Sequence, residues 1–189
     1  VNGGTLTITG SSNTAGDIVV KGGVLTGQSS SSLGTGQVKI SGGQVNVANG
    51  FSNDVILGGG TLNLGGNSST SKITLNGGSI LGGQNYNGNI TIGSGGGLDA
   101  ASNLKGNIDL QGGSSLFGNG TVGKVNLGSN ASLAPGNSIG IINMDSLTIQ
   151  GGSTLTLEVQ NPLGNAGVGY DLLNVIGQLD LSNLSKDKP

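Results

Sequence analysis

The sequence has 189 residues, of which 41 are glycine, and it contains neither cysteine nor histidine. Cysteine nucleophiles, histidine-based catalytic triads and Cys/His zinc sites are therefore excluded. The net charge is −2 and arginine is absent, so the chain offers no basic surface for nucleic acid or for an anionic membrane. Carboxylates remain as the main groups with catalytic potential.

A couplet of two apolar residues, separated by one residue that is usually polar, recurs along the chain. Successive couplets are 17 to 22 residues apart. Alternation with period two places both apolar side chains on one face of a β-strand. The couplets are Ile18/Val20, Val38/Ile40, Val55/Leu57, Ile73/Leu75, Ile90/Ile92, Ile108/Leu110, Val125/Leu127 and Leu147/Ile149. A period this regular indicates one small unit stacked on itself, that is, a solenoid.

A second apolar position follows the couplet in each unit, and the glycines between the two supply a corner. These second positions are Leu25, Val45, Leu62, Ile80, Leu98, Leu116, Leu133 and Leu155. The glycine content and the lack of 3.6-residue periodicity disfavour helices. Such a unit suffices for one β-helix coil with three short faces, in which each strand pairs with its equivalent one turn on. The sequence predicts an all-β, right-handed parallel β-helix of about ten coils.

The chain changes character after residue 130. Residues 1–130 are predicted to form a stalk of repeated coils, and residues 131–182 a C-terminal cap that covers the unpaired strand edges of the last coil. Residues 183–189 are predicted to be a linker or a terminal tail. Leu155 and Leu157 are expected to point into the aliphatic stack, so that aspartate at either position would unfold the cap.

Two segments resemble sequences of bacterial autotransporters. Residues 133–140 (LAPGNSIG), the strands that follow them and residues 170–175 (YDLLNV) resemble the passenger-associated transport repeat. Residues 4–25 resemble the autotransporter-associated β-strand repeat. The positions assigned to the first motif are Ala134, Pro135, Gly136, Asn137, Ser138, Gly140, Leu155, Leu157, Asp171, Leu172, Leu173 and Val175.

The resemblance implies a β-helical passenger domain that is exported through the periplasm and outer membrane by type V secretion. It implies one partner, the outer-membrane β-barrel at the C-terminus of the parent chain, and no cofactor. In that family the C-terminal part of the passenger folds first, so residues 131–182 would act as a folding core or autochaperone. We expect a non-enzymatic, surface-displayed virulence factor or adhesin, whose further partners are other passengers or a host receptor.

Two pairs of carboxylates are candidates for catalysis, namely Asp99 with Asp109, and Asp171 with Asp180. β-Helical polysaccharide lyases and hydrolases use acidic clusters on one face. Here the phases of the aspartates differ from coil to coil, so we expect solvated or turn-capping side chains and no catalytic, cofactor or metal site. Two alternatives stay open. In the first, the chain is the scaffold of a secreted toxin or enzyme whose active part lies upstream. In the second, which ranks below the first, the chain is a β-helical polysaccharide-processing enzyme.

Overall fold

The computed structural model describes residues 1–47, 51–65, 69–101 and 103–184, and these residues form 18 β-strands and no helix. The predicted tail 183–189 lies mostly outside the described residues. The first nine strands are β1 (Thr5–Ile8), β2 (Ile18–Val20), β3 (Val24–Gly27), β4 (Val38–Ile40), β5 (Gln44–Val47), β6 (Val55–Asn63), β7 (Ile73–Leu81), β8 (Ile90–Ile92) and β9 (Gly97–Asp99). The others are β10 (Asn103–Leu104), β11 (Ile108–Leu110), β12 (Ser115–Gly118), β13 (Gly120–Leu127), β14 (Ser132–Pro135), β15 (Ile141–Gln150), β16 (Thr154–Leu155), β17 (Leu172–Val175) and β18 (Leu179–Asn183).

The strands stack in parallel to form a β-solenoid with three faces. The first face runs through β2, β4, β6, β7, β8, β11, β13, β15 and β18. The second face runs through β1, β3, β5 and the later halves of β6 and β7, and continues through β9, β12, β14 and β16. A shorter third face contains β10, β17 and the first halves of β13 and β15. The predicted all-β parallel solenoid is confirmed.

The apolar couplets supply the core of the first face. Val38 pairs with Val55, which pairs with Ile73, and the same column continues through Ile90 and Ile108. All five side chains are buried. Burying one such aliphatic side chain is worth about 1.5–3 kcal/mol, so a repeated column can stabilise a chain that has few aromatic residues.

Glycine is required at one corner of the repeat. Gly43, Gly60 and Gly78 have φ of 74°, 75° and 80°, a conformation that residues with a Cβ rarely adopt. A Cβ at Gly60 would also lie only 2.4 Å from the carbonyl oxygen of Gly43, one turn earlier. The glycines that follow the couplets therefore allow a tight corner to stack directly on its predecessor.

The solenoid has about eight turns of roughly 18 residues, fewer than the ten or so expected coils. The last turn is much longer than the others, because Leu147 pairs with Leu179 and the chain between them forms a loop as well as β16 and β17. The right-handed winding stays a prediction from the general preference of parallel crossovers.

Candidate functional site

The segment that resembles the transport repeat begins with a tight turn after β14. Gly136 has a φ of 82°, and a Cβ there would collide with the carbonyl oxygen of Ser138. The backbones of Gly118 and Gly136 exchange two hydrogen bonds of 3.1 and 2.7 Å, which anchor the turn to the previous coil. Pro135 ends β14 and is buried, whereas Asn137 and Ser138 are exposed at the tip.

Asp171 joins the two halves of this segment. Its carboxylate is buried and accepts two backbone hydrogen bonds, from Gly140 N–H (2.8 Å) and from Glu158 N–H (2.7 Å). In return, Asp171 N–H donates to the Glu158 carbonyl and Leu172 N–H donates to the Gly140 carbonyl. Hydrogen bonds to an ionised carboxylate are about twice as strong as those between neutral groups. We call this set of four hydrogen bonds the Asp171 clamp.

The remaining motif residues follow the clamp into the third face. Leu172, Leu173 and Val175 lie in β17, which pairs in parallel with the first half of β15. Leu173 and Val175 are half-buried and pack against the core. Ala134 lies in β14 with its side chain half-buried on the outer side of the second face. The structure thus brings the turn, the clamp and β17 together, while their predicted autochaperone role stays a prediction.

The expectation that Leu155 and Leu157 lie inside an aliphatic stack is wrong for the described chain. Leu155 is in the inward phase, because it pairs with the fully buried Leu133. It is nevertheless 39% exposed, and Leu157 is 50% exposed. The physical reason is that β16 is the outermost strand of its sheet, so none of the coils formed by residues 103–184 covers these leucines.

The predicted covering of the last coil is also not found within residues 103–184. The strands β16, β17 and β18 are themselves the last rungs of the three faces. Several of their apolar side chains, and of those in the connecting loop, are exposed: Val159, Leu163, Val168, Ile176, Leu179 and Leu181. Within the described residues, the segment therefore continues the stack.

The structure places the members of each candidate carboxylate pair in different strands or segments. Asp99 lies in β9 on the second face, whereas Asp109 lies in β11 on the first face. Asp171 is taken up by the clamp, and Asp180 lies in β18 and accepts the backbone N–H of Ser182. Among the described residues, no group of three or more acidic, cysteine or histidine side chains is placed to hold a metal ion.

Polar side chains form hydrogen-bonded ladders along the outside of the rod. The Asn126 amide donates to Asp109 Oδ1 (2.7 Å), and the Gln150 amide donates to Asn126 Oδ1 (3.3 Å). Asn174 and Asn143 form a similar bond across the third face. Next to the first ladder, a shallow groove of about 350 Å³ contains Lys124 and Gln178. These ladders follow from the strand register, because outward residues at the same position of successive coils lie next to each other.

Among the described residues, three titratable groups are perturbed by their surroundings. One is Asp180, whose pKa is lowered by hydrogen bonds from the side chain and the backbone N–H of Ser182. The Lys39 ammonium, whose Nζ lies 2.5 Å from Asp17 Oδ2, lowers the pKa of Asp17, and the N–H of Gln37 contributes in the same direction. Burial raises the pKa of Tyr86 to about 12, although its hydroxyl donates to the Ser71 carbonyl. The Asp17 pair is exposed to solvent, whereas Tyr86 is a core residue.

No family model, curated protein or solved structure matches the chain. None of the described segments is a helix long and apolar enough to cross a membrane. The fold defines the chain as a parallel β-solenoid with ladders of hydrogen-bonded polar side chains along its outside.

Proposed function

We propose that the chain is the stalk and folding core of a bacterial autotransporter passenger, displayed at the cell surface for adhesion, self-association or colonisation. The observation that carries this proposal is the parallel ladder of the first face, which runs without a break from β2 to β18 and builds a rod with polar side chains in fixed outward columns. The proposed role is mechanical, and no catalytic step is assigned to the chain.

The rod suits a presenting role because each coil is hydrogen-bonded to the coils before and after it. Rungs about 4.8 Å apart give a repeated outer surface, on which the same kind of contact can be made many times. Many weak contacts made together can raise the overall affinity by orders of magnitude. The outward amides and hydroxyls of Asn46, Thr26 and Asn126 are the kind of groups that would make such contacts.

The Asp171 clamp supports the folding-core part of the proposal. It connects residues 13 and 31 positions away in sequence, so it forms only when the turn after β14 and β17 have come together. A segment closed in this way can serve as a template for neighbouring coils. On this proposal the outer-membrane β-barrel of the parent chain is the partner during export, and another passenger or a host receptor is the partner afterwards.

The test uses cells that express the gene encoding this chain, intact or lacking residues 1–130. We would measure the amount displayed at the surface and the autoaggregation or adhesion per displayed molecule. We expect display to persist and adhesion per molecule to fall when the stalk is removed. If display and adhesion per molecule are both unchanged, the proposed role of the stalk is wrong.

A second arm of the test addresses the folding core. Asp171→Ala is compared with Asp180→Ala, a matched change of an aspartate that is outside the clamp. We expect less displayed protein for Asp171→Ala and wild-type display for Asp180→Ala. Equal display of both variants would contradict the folding role of residues 131–182.

A further inference from the structure

A cleft interrupts the second face between β7 and β9. The later half of β6 pairs with the later half of β7, and β9 pairs with β12, but within the described residues no strand pairing joins β7 to β9 on this face. Gly97 also leaves a gap in the outward column, because it has no side chain between Ser115, its partner in β12, and Ser79 on the preceding strand. The result is a cavity of about 280 Å³.

One wall of this cleft is aromatic. Phe117 lies in β12 with its side chain outward, and a Cβ at Gly97 would be only 3.2 Å from the Phe117 ring carbon Cε1. The ring therefore leans over Gly97 towards the cleft. Of the four aromatic residues in the chain, Phe51 and Tyr86 are buried, so Phe117 is one of two that reach solvent.

The other lining residues are Ser79, Ile80, Asp99 and four glycines, and Asp99 is the one that carries a charge. Asp99 pairs with Phe117 on the neighbouring strand and its half-buried side chain lines the cleft. Its Oδ1 accepts the N–H of Ala101 (3.0 Å), which leaves Oδ2 for a ligand. Ser79 contributes a hydroxyl, and glycines 77, 78 and 95 leave backbone groups accessible at the floor. No lysine lines the cleft, which disfavours an anionic ligand, and one carboxylate is too few for a metal ion.

These features match a neutral ring that has hydroxyl groups on its edge and C–H groups on one face. A sugar hydroxyl donates readily to a carboxylate, and such charge-assisted bonds are strong. The negative face of an aromatic ring attracts the positively polarised C–H groups of a pyranose. At about 280 Å³ the cavity lies just below the usual range for ligand pockets, about 300–1,000 Å³, so it has room for at most one ring.

We propose that this cleft binds one hexopyranose unit of a neutral oligosaccharide, with Phe117 against the C–H face and Asp99 accepting from the hydroxyls. The proposal rests on the cleft alone and does not require export or surface display. Its failure would therefore leave the proposed function in place, and the reverse also holds.

The experiment is an NMR titration of the purified chain with cellohexaose, maltohexaose, mannohexaose and chitohexaose. With ¹³C-labelled phenylalanine, only two residues carry label, and one of them, Phe51, is buried. We expect at least one oligosaccharide to bind and to show nuclear Overhauser contacts from its C–H protons to the Phe117 ring. If none of the four shows such contacts at about 10 mM, the proposal is wrong.

Three variants and one control test the assignment of roles. Phe117→Ala and Asp99→Asn remove the proposed contacts, and Gly97→Ser fills the cleft without requiring a positive φ. We expect each to weaken binding by about tenfold or more. Leu81→Ala, which trims a side chain that is exposed on the same face but outside the cleft, should leave binding unchanged.

A capped, extended decapeptide of serine and glycine serves as a competing probe, because unpaired strand edges can also accept a peptide. Binding of this peptide with no contact from any oligosaccharide would overturn the proposal. Thermal melting of each variant shows whether it is folded. If Phe117→Ala does not fold, wild-type affinity of a folded Gly97→Ser protein still contradicts the proposed site.

Discussion

The regular coils and the C-terminal coil differ in how they bury the same kind of side chain. Leu133 and Leu155 are direct partners in neighbouring strands, yet Leu133 is fully buried and Leu155 is 39% exposed. Leu133 has a coil on each side, whereas Leu155 has one on a single side. In a solenoid, burial is therefore supplied by the neighbouring rungs, and phase within the repeat is not sufficient for it.

The two regions also differ in what holds them together. The regular coils use one device many times, an aliphatic column beside a parallel ladder. The C-terminal segment adds the Asp171 clamp, a single arrangement of specific hydrogen bonds that occurs once. Loss of one rung in the regular part removes one of many similar contacts, while loss of the clamp disconnects two segments at once.

The largest expected effect comes from truncating a core leucine between two coils. Leu75→Ala should lower the free energy of unfolding by about 2–5 kcal/mol, because it leaves a cavity among fully buried neighbours. Leu155→Ala is the matched control, and its loss should be clearly smaller since the side chain is partly exposed. Denaturant unfolding measures both. Equal losses would contradict the contrast between covered and open rungs.

The next effect concerns the clamp. Asp171→Ala leaves the N–H groups of Gly140 and Glu158 without their acceptor, at about 1–3 kcal/mol for the buried Gly140 donor and less for Glu158, whose bond is only partly buried. We expect a lower melting temperature and faster amide hydrogen exchange in residues 136–141 and 171–175. Amide exchange as slow as in the wild type would show that the clamp does not hold these segments.

The buried hydroxyl of Tyr86 makes the free energy of unfolding depend on pH. The folded chain keeps the Tyr86 proton up to about pH 12, whereas the unfolded chain releases it near pH 10. The contribution is complete below about pH 10 and is lost as pH rises towards 12. Tyr86→Phe should make the fall in stability over this window shallower, and should cost about 0.5–1.5 kcal/mol at neutral pH through loss of the bond to Ser71. An unchanged slope between pH 10 and 12 would contradict this role.

The smallest expected effect is at the exposed pair of Asp17 and Lys39. Lys39 lowers the pKa of Asp17, so the pair stabilises the fold above the usual aspartate pKa and loses this effect as pH falls through the lowered value. Because both groups are exposed to solvent, Asp17→Asn should not shift the melting curve measurably. A clear shift that disappears in high salt would show that this surface pair matters more than we expect.

The sequence predicts the solenoid well because its signal is repeated. The couplets around Val55, Ile73 and Ile90 indicate where the strands lie, which side faces inward and how neighbouring strands are aligned. The same alternation does not report whether another coil covers a rung, and for this reason the burial of Leu155 and Leu157 was predicted wrongly.

The sites depend on features that a periodic pattern does not contain. The partners of Asp171 are backbone groups in distant segments, which no residue type signals. The cleft depends on the missing side chain of Gly97 and on the direction of the Phe117 ring. The separation of Asp99 from Asp109 was predictable, since the two aspartates occupy different phases of the repeat.

The stacked ladder is tested most directly by a distance measurement between spin labels. The chain has no cysteine, so nitroxides attached to Val19→Cys and Asn126→Cys report one pair of sites. These positions are six rungs apart on the first face, which corresponds to about 29 Å, and Val19 with Asp109→Cys is one rung shorter, at about 24 Å. The account predicts two narrow distributions that differ by about one rung. Broad distributions, or equal distances for the two pairs, would contradict it.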